Sequence, residues 1–253
     1  ITVSSGNHGR AVSYLSKKLG VNAVVCISEA VPGNKVKAIR ELGAEVIISG
    51  RTYDEANQSA LQVKAERGLT FIHPFDDYHI IAGQGTIGLE LIQDLPEVDT
   101  VIVPLSGGGL LCGIAMALKS INPSIYTIGV TMEHGAAVHE SLKAGKIVQV
   151  DEYPTLADAL PGGLGDENIY TFKMIQKYVD ETVLVSEEEI ADAVRFAVEE
   201  QRLVVEGGGA VGIAALKNGK ICKRGKHTAI IISGGNIDTG ILTRVLQVKT
   251  GNR

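Results

Sequence analysis

The chain has 253 residues, enough for one large α/β domain or two smaller ones. Its hydrophobic content of 45%, charged content of 21% and net charge of −5 are typical of a globular protein. The charges are dispersed and aromatic residues make up only 4%, which predicts no nucleic-acid partner. The sequence contains no apolar run of about 18 residues or more and no recognisable secretory signal, so we expect a cytoplasmic protein without membrane contact.

Cysteine and glycine usage adds two expectations. Cys26, Cys112 and Cys222 lie far apart in apolar segments, so we expect small core residues and neither disulfides nor a Cys-based metal site. The 30 glycines exceed the usual frequency of about 7% and cluster at a few turns, where backbone can approach a ligand closely. The sequence starts without methionine inside a predicted strand, and we expect it to be a fragment.

The first nine residues combine a short apolar strand with a polar turn, Ser4-Ser5-Gly6-Asn7-His8-Gly9. Helical spacing of apolar residues follows at Ala11, Val12, Leu15 and Leu19. The turn therefore lies at a helix N-terminus, where free N–H groups favour an anion. A capping serine with a turn glycine and no ligand is an equally simple interpretation.

Short apolar strands alternate with amphipathic helices up to residue 74. The pattern predicts strands at Ala23–Ile27, Glu45–Ile48 and Thr70–Ile72, and helices from about Asn34 to Leu42 and from Asp54 to about Arg67. Continuous apolar strands separated by helices indicate a parallel sheet covered on both faces. We interpret residues 1–74 as a small α/β domain that lacks its first part.

A second, larger α/β domain is predicted over residues 75–253. Its expected elements are helices at about His79–Leu95, Leu110–Ile121 and Gly209–Leu216, a helix that starts with the Ser186/Glu189 capping box, and strands at Thr100–Pro104, Ile125–Val130 and Thr228–Ile232. The stretch from Gly145 to Asn168 is rich in turns, which is typical of a functional or mobile segment.

Glycine-bearing turns follow three of the predicted strands: Ser4–Gly9, Ser106–Gly109 and Ser233–Asn236. The run Gly107-Gly108-Gly109 at a helix start can hold a phosphate with backbone N–H groups. The same glycines also allow a dinucleotide-dependent oxidoreductase. That alternative requires an acidic residue or an arginine after the next strand, which instead ends in Val130-Thr131.

Six ordered segments resemble the fold-type II pyridoxal-phosphate enzymes of the threonine dehydratase and serine racemase family. They are Ser4–Gly9, His73-Pro74, Ala82–Thr86, Gly107–Leu110, Glu206 and Ser233–Asn236. The resemblance implies pyridoxal phosphate as cofactor and a tryptophan-synthase-β-like α/β fold with two domains and parallel or mostly parallel sheets covered by helices. It also implies a small amino-acid-like substrate and a homo-oligomer.

The resemblance also implies roles for individual residues. Asn7 would hydrogen-bond the phenolic oxygen of the cofactor, and Ser233 would meet the pyridine nitrogen. Glu206 matches a further cofactor-site position. The phosphate would lie on Ser106, Gly107, Gly108, Gly109 and Leu110. Ser5 would be catalytic, on the cofactor face opposite the Schiff-base lysine, and the substrate would contact Ser4, Ser5, His8 and Gly163.

A neutral serine at the pyridine nitrogen makes the ring a weaker electron sink than an aspartate partner would, which favours β-elimination over transamination. The resemblance therefore implies a lyase that removes the β-hydroxyl of a hydroxy amino acid and yields a 2-oxo acid and ammonia. An amino-acid racemase of the same family is one alternative. A non-catalytic cofactor-binding fragment is another.

Several positions depart from the family pattern. The family's Schiff-base lysine precedes the Ser-Gly-Asn-His turn and is absent from this chain, whereas Lys17, Lys18, Lys64 and Lys143 fit helical surfaces. The segment after the strand at 125–130 lacks the family's cation-binding pattern, so we expect no metal and place Glu133, His134 and His139 at the surface. Phe75 and the loop Ala157–Gly165 also differ, the loop being similar to that of dehydratases proposed for hydroxyectoine utilisation.

Overall fold

The computed structural model describes residues 1–4, 6–165 and 167–248. Contacts divide the chain into two compact units, Ile1–Asp77 and Tyr78–Arg253. In both units, every strand pairing in the described residues is parallel. The predicted α/β class with parallel sheets is therefore confirmed.

The first unit has a sheet in the order β1-β2-β3, built from β1 (Thr2–Val3), β2 (Val24–Ile27) and β3 (Glu45–Ile48). Its helices are α1 (Asn7–Leu19), α2 (Gly33–Glu41) and α3 (Tyr53–Arg67). Successive side chains of β2 point to opposite faces: Val24 and Cys26 join the core that includes Ala56 and Ala60 of α3, and the residues between join the core formed with α2. The central strand is covered on both faces, which explains its unbroken apolar sequence.

One prediction for this unit needs correction. Thr70–Ile72 does not form a strand, although the Ile72 amide donates a 2.8 Å hydrogen bond to the Ile1 carbonyl oxygen beside β1. The helix at α1 is present, but Leu15 and Leu19 are 55% and 76% exposed. The buried positions of α1 are Gly9 and Ser13, because small residues let this helix approach the sheet closely.

The second unit has a sheet in the order β6-β5-β4-β7. Its strands are β4 (Thr100–Pro104), β5 (Tyr126–Met132), β6 (Glu181–Val185) and β7 (Thr228–Ile230). Its helices are α4 (Tyr78–Asp94), α5 (Gly109–Ile121), α6 (Ala137–Ala144), α7 (Thr171–Tyr178), α8 (Glu187–Glu199), α9 (Gly207–Lys217) and α10 (Thr239–Gln247). The predicted capping box is present: Ser186 Oγ accepts a hydrogen bond from the Glu189 amide, and the Glu189 carboxylate accepts one from the Ser186 amide.

The sequence pattern did not single out β6, α6, α7 or α10. The turn-rich prediction for 145–168 agrees with the structure, which has no helix or strand in the described part of that stretch. One side-chain prediction is wrong: Cys222 is exposed, unlike the buried Cys26 and Cys112. Glu133 and His134 are exposed, and His139 is half-buried, with its Nδ1 2.8 Å from Thr182 Oγ1.

Candidate functional site

The opening turn is organised by the hydroxyl of Ser4. Ser4 Oγ accepts hydrogen bonds from the amides of Gly6 at 2.9 Å and Gly9 at 2.8 Å, and the residue is only 4% exposed. These bonds satisfy N–H groups at the start of α1, which helical geometry would otherwise leave open. The capping interpretation therefore accounts for Ser4 without a ligand, and its contact with substrate stays a prediction.

The buried side chain of Lys35 packs against the backbone of Gly6. Gly6 has φ +149°, a conformation that side-chain-bearing residues rarely adopt. The Lys35 side chain lies against it: a Cβ at Gly6 would be 2.6 Å from Lys35 Cδ and 3.4 Å from Lys35 Nζ. Lys35 is only 5% exposed, so its amino group lies beside the turn and is shielded from solvent. The lysines predicted at the surface, Lys17, Lys18, Lys64 and Lys143, are all exposed.

His8, the second residue of α1, has a buried ring nitrogen, Nε2. Among the described residues Nε2 has no hydrogen-bond partner, while the ring donates to the backbone of Ile72. Burial lowers the pKa of His8 to about 4, more than the Ile72 bond raises it. The imidazole is thus neutral near pH 7, and its free Nε2 is an acceptor. His8 would donate a hydrogen bond from Nε2 to a substrate carboxylate only after gaining a proton.

Asn7, which precedes His8 in the sequence, is the first residue of α1 and is half-buried. Ser5, predicted to be catalytic, lies outside the described residues. The first unit therefore brings Ser4, Asn7 and His8 to one helix start, and their contacts with cofactor and substrate stay predictions.

The predicted phosphate loop lies between β4 and α5. Gly108 precedes the helix with φ +93°, which favours glycine, and Gly107, Gly108 and Gly109 are all buried. A Cβ at Gly108 would be 2.7 Å from Ile175 Cδ1, so α7 packs directly on the loop. The first N–H groups of α5, including that of Leu110, lack acceptors within their own helix and point towards the space beyond its N-terminus. A phosphate fits this position without a basic side chain.

Ser106 has a contact that the sequence does not reveal. Its Oγ donates a 2.9 Å hydrogen bond to the carbonyl oxygen of Leu160. Leu160 lies in the segment 155–165, called the substrate loop here because it contains Gly163. Ser106 and Gly162 also line one small cavity, together with Thr131 at the end of β5. Gly163, predicted to contact substrate, follows directly and is half-buried. The structure therefore joins the phosphate loop to the substrate loop.

Glu206 and the Ser233 turn meet at the start of α9. Glu206 is 1% exposed, and its amide donates a 3.1 Å hydrogen bond to the Gly234 carbonyl oxygen. Ser233 is exposed in the described structure and follows β7, the sheet neighbour of β4. The phosphate loop and the Ser233 turn thus follow the carboxyl ends of adjacent parallel strands, where open α/β sheets bind ligands.

Comparison with known proteins tests the family. A sequence profile described as "Pyridoxal-phosphate dependent enzyme" matches residues 1–234. The chain belongs to this pyridoxal-phosphate dependent family. Membership confirms the predicted family and its cofactor, pyridoxal phosphate, which the buried glycine loop and the open N–H groups of α5 fit. It also argues against the dinucleotide-dependent alternative.

Named relatives narrow the similarity within the pyridoxal-phosphate dependent family. The chain is 50% identical over 247 residues to a putative threonine dehydratase of Sinorhizobium fredii, covering 98% of this chain and 74% of that protein. It is 44% identical over 260 residues to the L-threonine ammonia-lyase of Thermotoga maritima, covering 100% of this chain and 63% of that enzyme. The structure of maize serine racemase superposes with a TM-score of 0.87 at 36% identity, covering 96% of this chain and 74% of that one.

Proposed function

We propose that the protein is a pyridoxal-phosphate dependent ammonia-lyase that converts L-threonine to 2-oxobutanoate and ammonia. The observation that carries the proposal is the 44% identity to an L-threonine ammonia-lyase over the whole chain. The chain spans 63% of that enzyme, so the proposal concerns the protein that contains this chain. The polar turn and the glycine loop support it because they supply the groups that such a site needs.

Bound pyridoxal phosphate supplies an electron sink for the negative charge that develops when the α-proton of the amino acid is removed. The chain's own residues would bind and orient the cofactor and the substrate. N–H groups of Gly107–Leu110 would hold the phosphate, and Ser233 would be the neutral partner of the ring nitrogen. The Asn7 amide would bind the phenolic oxygen, and Nε2 of His8 would accept a hydrogen bond.

The overall reaction removes water and then adds it back. Threonine loses its α-proton and its β-hydroxyl, which together leave as water and create a carbon–carbon double bond. The resulting enamine tautomerises to an imine, and one water molecule hydrolyses that imine to 2-oxobutanoate and ammonia. No oxidant or reductant is consumed.

The test uses the protein purified as its gene encodes it. We expect a visible absorption band of bound cofactor that borohydride bleaches, and equal release of ammonia and 2-oxobutanoate from L-threonine. An Asn7→Ala variant should shift the band, whereas a change at the exposed Lys17 should not. A protein that binds the cofactor but releases no 2-oxobutanoate from L-threonine would contradict the proposal, and release of a 2-oxo acid from serine, 3-hydroxyaspartate or a hydroxyectoine-derived amino acid would then identify another substrate.

Racemisation is the second candidate, because the structure of maize serine racemase is among the similar ones. Ser5 would return a proton to the opposite face of the substrate. Interconversion of serine enantiomers without deamination would replace the lyase by a racemase. Ser5→Ala should abolish interconversion and spare elimination of the L-substrate. Unchanged activities in Ser5→Ala would refute the role of Ser5.

We also propose that the protein is a cytoplasmic homo-oligomer. In the described part of the chain, no helix is long and apolar enough to cross a membrane. Cell fractionation and analytical ultracentrifugation test the two statements separately, and a membrane-associated or monomeric protein would overturn the respective one.

A further inference from the structure

A carboxylate outside the predicted site holds the start of the substrate loop. Glu187 Oε1 accepts a 2.5 Å hydrogen bond from Thr155 Oγ1, and Glu187 Oε2 accepts a 2.8 Å hydrogen bond from the Leu156 amide. Thr155 Oγ1 in turn accepts a 3.0 Å bond from the Ala157 amide. One carboxylate therefore fixes two successive residues, 31 and 32 positions away in sequence.

The same loop is fixed again further along. The Leu160 carbonyl oxygen accepts the Ser106 hydrogen bond described above, and Ala157 is fully buried. Leu156 also packs on the start of α9, where a Cβ at Gly207 would lie 2.1 Å from the Leu156 carbonyl oxygen. The loop is thus anchored at Glu187 on one side and at the phosphate loop on the other, immediately before Gly162 and Gly163.

We propose that Glu187 is a positioning residue for the substrate loop. By holding Thr155 and Leu156, it sets where residues 157–163 lie and thereby orients Gly163 towards the substrate. The inference rests on the proposed function for its effect on turnover. Charge-assisted hydrogen bonds are among the stronger ones in proteins, and a small displacement of groups that orient a substrate reduces turnover sharply.

The competing interpretation is that Glu187 only stabilises α8. It is the first residue of that helix, where any acidic side chain interacts favourably with the helix dipole. Glu188 provides the matched control, since it has the same charge in the same helical turn and is exposed. A dipole effect would appear in Glu187→Ala and Glu188→Ala alike.

The experiment compares the holoenzyme with its Glu187→Ala, Glu187→Gln and Glu188→Ala variants. We expect Glu187→Ala to raise the KM for L-threonine about tenfold while the affinity for pyridoxal phosphate stays within about twofold. Glu187→Gln keeps one acceptor oxygen and should fall between. Hydrogen exchange of the peptide covering 155–163 should speed up in Glu187→Ala and stay unchanged in Glu188→Ala.

Thr155→Val gives a second check, because it removes the hydroxyl that donates to Glu187 and that also accepts from the Ala157 amide. Combined with Glu187→Ala, it should raise the KM by less than the product of the two single effects, because the two substitutions share one bond. Wild-type exchange and wild-type KM in Glu187→Ala, or equal effects in Glu188→Ala, would overturn the inference and leave the lyase assignment intact. No deamination by the unsubstituted protein would overturn the proposed function itself, and the exchange rates would still decide whether Glu187 anchors the loop.

Discussion

The Ser106 hydroxyl and the Leu160 carbonyl oxygen, 54 residues apart in sequence, are joined by a 2.9 Å hydrogen bond. One residue of the phosphate loop therefore also holds the loop predicted to contact substrate. Because Ser106 is also a predicted phosphate contact, we expect a change at Ser106 to affect both cofactor binding and the position of the substrate loop.

Ser106→Ala should weaken pyridoxal phosphate binding and raise the KM for L-threonine, each about three- to tenfold, since a typical hydrogen bond contributes about 1 kcal/mol. Cofactor titration by absorbance and steady-state kinetics measure the two effects. Ser106→Thr retains the hydroxyl and serves as the control. A change in cofactor affinity with no change in KM would show that the Leu160 bond does not position the substrate loop.

Gly108→Ala should destabilise the protein by about 1 to 2 kcal/mol from backbone strain alone, because φ is +93°. It should also displace Ile175, whose Cδ1 would lie 2.7 Å from the new methyl group. The matched control is Gly219→Ala, which has φ +66° and no atom within 4 Å of its Cβ position. Urea unfolding and cofactor titration should show a larger loss for Gly108→Ala in both stability and affinity. Equal losses would mean that the loop has room for a side chain.

Cys222 should be the reactive thiol of the described chain. It is exposed, whereas Cys26 and Cys112 are buried, and burial raises the pKa of the Cys26 thiol. Brief alkylation of the folded protein followed by peptide mass mapping should label Cys222 first, and all three after unfolding. Cys222→Ser should remove the fast phase. Fast labelling of Cys112 in the folded protein would contradict its burial.

Local patterns predicted what depends on neighbouring residues. The Ser186/Glu189 capping box and the glycine loop before α5 were both correct, because each is decided within a few residues. The helix at α1 was also predicted, but not that small Gly9 faces the sheet: a Cβ there would be 2.8 Å from Val25 Cγ1. The spacing of apolar residues cannot reveal a close approach that depends on glycine having no side chain.

Contacts between segments far apart in the chain could not be predicted from the sequence. The bond between Ser106 and Leu160 and the carboxylate of Glu187 on Thr155 join segments whose proximity only the folded sheet creates. Family resemblance predicted which residues would meet the cofactor, since those form short motifs. It gave no sign of Glu187, which matches no motif and acts through another segment.

The protein should lose stability in acid because of His8. Its pKa falls from 6.5 in an unfolded chain to about 4 in the folded protein, mainly because the ring is buried. Between about pH 6.5 and 4 the unfolded chain binds a proton that the folded protein does not, so stability must fall as pH falls through this window. A tenfold change in a protonation equilibrium corresponds to about 1.4 kcal/mol, so the lowered pKa gives a total loss on the order of 3 kcal/mol.

Urea unfolding between pH 6.5 and 4 measures this loss of stability. His8→Gln cannot titrate and should flatten the dependence, and the effect in the unsubstituted protein should persist at high salt, because desolvation is not screened. An equally steep dependence in His8→Gln would assign the acid sensitivity to other groups, of which His73 is the first to test, since burial lowers its pKa as well.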